Sequence, residues 1–316
     1  MRRIRYLLEY ALVRLTMGIA RLGSWGVARA MGWVVGRLFY LFDGRHRRIA
    51  LANLAAAFPH RPEADRRAIV RRVFVHLGRM LFELMKFSGL TREQMLSRVE
   101  WEGEHWADQA YAAGRGVLFF TGHFGYWELQ AIAHAAASNR PTGVLARALD
   151  NPALHTLLER IRGCTGNISI YRRGAIRRVL RVLQSNQSVA ILIDQHIQAP
   201  DAVSVDFFDR PASTTIALAL LARRTGAAVI PVFAMSPSPG RYRMVFEHPV
   251  DPPPDDSPEA ILDFTQRCTD VLEMYVRRHP DLWLWMHRRW RDEDRIEVAN
   301  AQRVPAAVDP HGGGQP

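Results

Sequence analysis

Four histidines in this 316-residue chain are followed five residues later by an acid: His60 with Asp65, His123 with Glu128, His196 with Asp201 and His287 with Asp292. A histidine held by a carboxylate makes a general base. The acid binds one ring nitrogen and fixes the tautomer, and the other nitrogen then takes a substrate proton. The spacing alone carries little weight, because 12 histidines and 31 acids give about one such match by chance. Helix geometry discriminates better. Five residues of continuous helix rotate a side chain by roughly 500°, or about 140° net, so the two groups face apart unless a turn separates them. The stretch VLFFTGHFGYWELQ, from Val117 to Gln130, supplies that turn. An apolar strand ends at Thr121, Gly122 and Gly125 permit tight backbone geometry, and a helix begins near Glu128. The N–H groups at that helix start could also polarise a carbonyl. In this reading Glu128 holds one nitrogen of His123. The other pairs have plainer explanations. His60 sits in a Pro-flanked helix entry, where Asp65 is a first-turn acid. His196 lies in a Pro-containing loop and His287 in a basic run.

The elements that must position His123 can be read from periodicity. After about Trp101, apolar strand-like runs alternate with helical stretches. Strands are expected at 116–121, 142–146, 167–171, 189–193, 228–233 and 242–247. Helices are expected at 128–137, 151–162, 175–185, 214–225 and 258–278. This alternation implies an α/β fold, with a sheet covered by helices, over 101–300. Residues 46–100 read as a helical section packed on that core, with apolar positions at Val70, Val73, Leu77, Met80, Leu81, Leu84 and Met85. His76 falls within it as a surface or packing residue. Residues 251–260 form an acidic, Pro-rich linker, and 301–316 read as a disordered tail.

Within an N-terminal membrane-associated segment read over 1–45, Tyr6 to Phe42 is strongly apolar but interrupted by Glu9, Arg14, Arg21, Arg29 and Arg37. No uncharged run reaches the ~20 residues of a spanning helix. Gly23 and Gly26 divide the stretch into two helices. Basic clusters at Arg2, Arg3, Arg5 and at Arg45, Arg47, Arg48 would hold both ends on the cytoplasmic side. The expectation is interfacial attachment to that face rather than a signal peptide or a single span. The net charge of +11 implies anionic partners, while the absence of a nucleic-acid-binding pattern points to a membrane surface or phosphorylated ligands. Lys86 is the only lysine. Two cysteines, Cys164 and Cys268, provide neither a disulfide framework nor a Cys-rich metal site.

The block TGHFGYWE resembles the His-x-x-x-x-acid block of the bacterial lipid A biosynthesis acyltransferases, lauroyl and myristoyl type. These belong to the wider lysophospholipid and glycerolphosphate acyltransferase superfamily. Five further blocks resemble that family in the same order: NLAAAFP, VLARALDNPALHTLLERIRGCTGN, ILIDQ, VSVDFFDRPASTTIALALLARRTGAAVIPVF and DLWLWMHRRW. The resemblance implies a mixed central sheet flanked by helices, with an N-terminal membrane-associated segment. It implies transfer of an acyl chain from acyl carrier protein to a phosphorylated glucosamine disaccharide lipid, at the cytoplasmic face of the bacterial inner membrane, with no cofactor.

Carried over by position, the resemblance makes His123 the base and Glu128 its partner. Arg147, Arg162 and Arg172 would meet substrate phosphates or carbonyl oxygens. Asp194 and Gln195 would lie near His123 if their strands are parallel, or cap a helix. Phe207 and Phe208 are read as acyl-groove residues or as plain core. Trp283, Trp285 and Trp290 suit either a membrane interface or a packed interior. The chain departs from the family pattern at Asp209, commonly Gly, at His196, where Asn often stands, and in the loop QAPDAVS. The His196 change leaves a metal site on Asp194 and His196 as a minor reading, with no further ligand set at a recognisable spacing. Two alternatives remain: acyl transfer to another glycolipid, such as a mannosylated phosphoinositide, and a non-catalytic lipid-binding protein on the same fold.

Overall fold

A computed structural model describes residues 2–171, 174–198 and 201–291. The chain forms a mixed α/β fold built on a seven-stranded sheet. The strands are β1 (Val99–Glu102), β2 (Val117–Thr121), β3 (Thr142–Ala146), β4 (Ile168–Tyr171), β5 (Ser188–Leu192), β8 (Ala228–Ser238) and β9 (Arg241–Phe246), in the order β1-β9-β8-β2-β5-β3-β4. All neighbours are parallel except β8 and β9. Every residue of β2 is buried, as expected of a central parallel strand covered on both faces. A separate antiparallel pair, β6 (Ala202–Asp206) and β7 (Pro211–Thr215), lies outside this sheet.

The helices α7 (Trp127–Ser138), α8 (Pro152–Arg162), α9 (Ala175–Gln184), α10 (Ala217–Thr225) and α11 (Pro258–Arg278) fall near the periodicity-based ranges. Asn151 caps α8 through its side chain, with Pro152 at the first helical position, and Ser257 caps α11 in the same way. The structure adds β1, β6, β7 and the short helices α5 (Arg92–Leu96) and α6 (His105–Ala112). The sequences AVSVD and PASTT are too polar and too interrupted to read as strands. Because β7 takes residues up to Thr215, α10 starts at Ala217 rather than Thr214.

The N-terminal section is helical: α1 (Arg2–Leu22), α2 (Trp25–Phe42), α3 (Gly44–Ala57) and α4 (Glu63–Phe87). The first break falls at Gly23 and Ser24, and Ser24 caps α2. Lys86 donates to the carbonyls of Ala20, Arg21 and Gly23 and so caps the end of α1. Arg21 returns a bond to the Met85 carbonyl. Helices α2 and α4 cross at near backbone contact: a Cβ on Gly78 would lie 2.1 Å from the Gly32 carbonyl oxygen. Buried residues of α3 and α4, including Leu54, Ile69 and Val73, pack into the same core as β2 and β5. No helix among the described residues is long and apolar enough to cross a membrane. Residues 301–316, and Asp292 of the fourth His–acid pair, lie outside the described residues.

Candidate active site

Strand register brings the site together. β2 and β5 are parallel neighbours with Thr121 opposite Leu192, so two residues further on His123 stands opposite Asp194. The chain leaves β2 toward β3 and leaves β5 toward β8, in opposite directions along the sheet. Such a crevice at the carboxyl ends of strands is where open α/β sheets bind ligands.

The Asp194 carboxylate is buried and accepts three hydrogen bonds. Oδ1 takes Nδ1–H of His123 at 2.8 Å, and Oδ2 takes the His123 backbone N–H at 2.7 Å and Trp283 Nε1–H at 2.8 Å. With Nδ1 protonated toward Asp194, Nε2 carries the lone pair. The Gln195 side-chain amide lies 3.2 Å from Nε2, in the position of a donor. The His123 side chain keeps 16% of its surface exposed against 3% for Asp194, so the ring is open to a substrate and its partner is not.

Charges set the protonation of the pair. Burial works against the charged imidazole, but the Asp194 carboxylate and its hydrogen bond outweigh this, with Glu128 adding at longer range, and raise His123 above its ordinary value. Burial alone would raise Asp194. The charge of His123 and the hydrogen bonds from His123 and Trp283 instead lower it to about 2.

Two glycines make the turn. A Cβ on Gly122 would stand 2.9 Å from Asp194 Oδ2 and equally close to Leu272, so only glycine lets the carboxylate approach. Gly125 has φ +58°, and a Cβ there would lie 2.0 Å from the Ala234 carbonyl oxygen. The N–H groups of Phe124, Gly125 and Tyr126 bond the carbonyls of Gly122, Leu282 and Ala234. These three amides are therefore committed to holding the turn and do not polarise a substrate carbonyl.

Glu128 does not hold His123. It forms a two-pronged ion pair with Arg162, Nε to Oε2 at 2.9 Å and Nη2 to Oε1 at 2.5 Å. Both side chains are largely shielded from solvent, Glu128 at 18% exposure and Arg162 at 14%. The helix-start position that turns Glu128 away from the preceding strand aims it at the last turn of α8, where Arg162 ends the helix. Arg162 thus gives Nε and Nη2 to a carboxylate of its own chain. A small cavity of about 50 Å³ touches this pair and is walled by Ile132, Val144, Leu145 and Leu192.

Arg147 is exposed, one residue beyond the end of β3 and at the same sheet edge as His123. Arg172 lies outside the described residues. Phe207 and Phe208 are buried at 0% and 2% exposure and pack against Trp283, Trp285 and Trp290. They act as core rather than as walls of an open groove. The tryptophans follow: Trp283 and Trp285 are fully buried and serve the interior, not a membrane interface. Asp209, where glycine is common in the family pattern, has φ +57°, a left-handed conformation that glycine adopts freely and aspartate tolerates.

The roles of three residues, Trp283, Asn53 and His76, escaped the sequence reading. Trp283 anchors Asp194, and its neighbour Leu284 donates its N–H to the His123 carbonyl. Asn53 donates to the carbonyls of Trp285 and His287, fastening the same segment from α3. The blocks NLAAAFP and DLWLWMHRRW thus meet in space, which their order along the chain could have prompted but not established. His76 of α4 is buried and bonds the Gly125 carbonyl through Nε2 at 3.0 Å. Burial lowers its pKa to about 4, so it is neutral and donates to that carbonyl.

The chain is similar to known proteins over most of its length. A family described as bacterial lipid A biosynthesis acyltransferase matches residues 1–292. The lipid A biosynthesis lauroyltransferase of Escherichia coli (strain K12) is 26% identical over 265 residues, covering 83% of this chain and 84% of the relative. The myristoyltransferase of the same organism is 25% identical, covering 80% and 77%, and its palmitoleoyltransferase is 25% identical, covering 83% and 84%. Among solved structures, the 1-acyl-sn-glycerophosphate acyltransferase of Thermotoga maritima aligns with 86% of this chain and 97% of that one. The identity there is 16% and the TM-score 0.35, a loose correspondence. With the match running from the first helix through the segment that anchors Asp194, the chain belongs to the bacterial lipid A biosynthesis acyltransferase family.

Proposed function

We propose that this protein transfers a fatty acyl chain from acyl carrier protein to a hydroxyl of a phosphorylated lipid A precursor, with His123 as general base. The observation that carries the reading is the His123–Asp194 pair at the sheet edge. Asp194 fixes the Nδ1–H tautomer, so Nε2 carries the lone pair that takes a proton, with the substrate hydroxyl displacing the Gln195 amide that now bonds it. The acceptor hydroxyl gives its proton to Nε2 as its oxygen bonds to the thioester carbonyl carbon. The tetrahedral intermediate collapses with cleavage of the C–S bond, and the imidazolium returns the proton to the departing thiolate. No Gly-x-Ser-x-Gly elbow occurs in the sequence, which favours direct transfer without an acyl-enzyme. Glu128 acts on His123 by charge rather than by contact, and its pair with Arg162 fixes the start of α7. The relatives' names span lauroyl, myristoyl and palmitoleoyl transfer, so the proposal is of fatty acyl transfer as a class.

Attachment to the cytoplasmic face of the inner membrane belongs to the same proposal. On α1, Ile4, Leu8, Leu12, Leu15, Ile19 and Leu22 recur at helical spacing and remain exposed. On α2, Val27, Val34, Leu38 and Leu41 do the same. An apolar helical face turned to solvent supports an interfacial helix pair, and the +11 charge suits an acidic carrier protein and anionic lipid. Mass spectrometry of lipids from a deletion strain tests the acceptor. Loss of one acyl chain from lipid A, restored by the gene, is expected. Unchanged lipid A with an altered second glycolipid would transfer the assignment to that lipid.

A further inference from the structure

A second cavity, of about 440 Å³, lies behind the catalytic turn, between α2, α4 and the strands β8 and β9. It is walled by Arg29, Arg72, Arg79 and Arg243, with Tyr126 and Ser236 among its polar groups. Its size falls in the range of roughly 300–1,000 Å³ typical of small-ligand sites. Carboxylates offset part of this charge. Arg243 pairs with Glu102, Arg72 lies 3.3 Å from Asp281, and Arg29 lies 3.6 Å from the buried Glu83 and 3.5 Å from Ser236 Oγ. Arg79 is different: its Nε is buried without a hydrogen-bond partner. Desolvation, with Arg29 facing it, disfavours its charge. Such crowding of positive charge is costly in the empty protein, and an anion in the cavity would offset it.

The cavity shares its walls with the catalytic turn. Tyr126 lines it and ends the turn, while His76 lines it and bonds the Gly125 carbonyl. Leu282 lines it and accepts the Gly125 N–H. Gly125 and His123 are two residues apart, so their Cα atoms lie within about 7 Å of one another. A glycolipid acylated at His123 could therefore reach this cavity with its head group. Of the arginines expected to meet phosphate, Arg162 pairs with Glu128 and Arg147 is exposed just past the end of β3.

We infer that the cavity lined by Arg29, Arg72, Arg79 and Arg243 binds a phosphate monoester of the substrate, and that its source is the acceptor lipid. The source rests on the acyl-transfer reading above, whereas the phosphate chemistry does not. The test uses the full-length protein with Arg29→Gln, Arg79→Gln and Arg79→Lys. Binding is measured by calorimetry with glucosamine 1-phosphate, with glucosamine as the control that lacks the phosphate. Wild type is expected to bind the phosphate in preference to the control. Each Gln variant should lose about 10- to 100-fold in affinity, and Arg79→Lys should retain part of it.

In acyl-transfer assays the Gln variants should raise KM for the phosphorylated acceptor by a similar factor, with no change for an acceptor lacking phosphate. If KM rises instead for the carrier-protein donor with either acceptor, the site holds phosphate but the source is the donor's phosphopantetheine arm. If wild type and the folded Gln variants bind glucosamine 1-phosphate alike and share both KM values, the inference is overturned. If wild type transfers no acyl chain at all, the function reading fails, and the calorimetry still decides the site. Thermal melting identifies a variant that fails to fold, in which case Arg79→Lys and Arg29→Gln carry the comparison.

Discussion

Replacing Asp194 with asparagine probes the geometry at its most constrained point. The carboxylate accepts from two donors at Oδ2, the His123 backbone N–H and Trp283 Nε1–H, and from one at Oδ1, His123 Nδ1–H. An asparagine must keep its oxygen toward the two donors, because an NH₂ group there would face both. Its NH₂ then meets Nδ1, which must become an acceptor, and the proton moves to Nε2. The ring keeps its place and loses its basic nitrogen. The same substitution in a serine-protease triad lowers kcat by about 10⁴ for this reason, equivalent to about 5.4 kcal/mol of barrier. We expect a loss of 10³–10⁴ in kcat on the acyl carrier protein and lipid A precursor pair, with KM little changed.

The accompanying loss of stability is smaller. Asp194 is lowered from 3.8 to about 2, which corresponds to about 2.4 kcal/mol at most, at 1.36 kcal/mol per unit. A single-turnover acyl-transfer assay, with thermal melting to verify folding, reads both quantities. A folded Asp194→Asn protein within tenfold of wild-type kcat would refute the tautomer argument.

Further expectations follow from the same contacts. His123 must be neutral to act and its pKa is raised, so kcat/KM should fall on the acid side with a midpoint above the ordinary histidine value of 6.5. A midpoint at or below 6.5 would mean that Asp194 does not control the ring. The stability contributed by the depressed Asp194 is fully present above pH 3.8 and lost as pH falls toward 2, which acid titration of the melting temperature would detect. Glu128→Ala and Arg162→Ala each leave a shielded charge unpaired and should cost about 3 kcal/mol, with the double variant more stable than their sum. Additive losses in urea denaturation would argue against that pair. Leu8→Glu with Leu12→Glu on α1 should abolish flotation with anionic vesicles while leaving the fold intact; unchanged flotation would remove α1 from the membrane contact.

The sequence carried the strand–turn–helix around His123 because its signals are local: an apolar run, two glycines and a helix start. It did not carry the partner of the ring. Glu128 is near in sequence, but the start of α7 directs it to Arg162, while Asp194 arrives from 71 residues away through the parallel register of β2 and β5. Nothing in either strand announces that adjacency. The reading of Asp194 as a neighbour of His123 is conditional on parallel strands, and the parallel pairing of β2 with β5 meets that condition. The roles of Trp283 and Asn53 were hidden for the same reason, since each acts only across chain-distant contacts. The pair β6–β7 was missed because its residues are polar and its Phe207 and Phe208 turn inward at its tip. The basic cavity draws its arginines from α2, α4 and β9, and dispersed arginines in so basic a chain have no visible grouping until the helices are packed.

The central claim is that His123 is the base for acyl transfer to a lipid A precursor. Purified wild-type protein and His123→Ala, both verified as folded, should be incubated with acyl carrier protein thioester and precursor, and the product read by mass spectrometry. Wild type should yield the precursor carrying one additional acyl ester, and the alanine variant should yield none above background. Equal product from the two proteins would contradict the account.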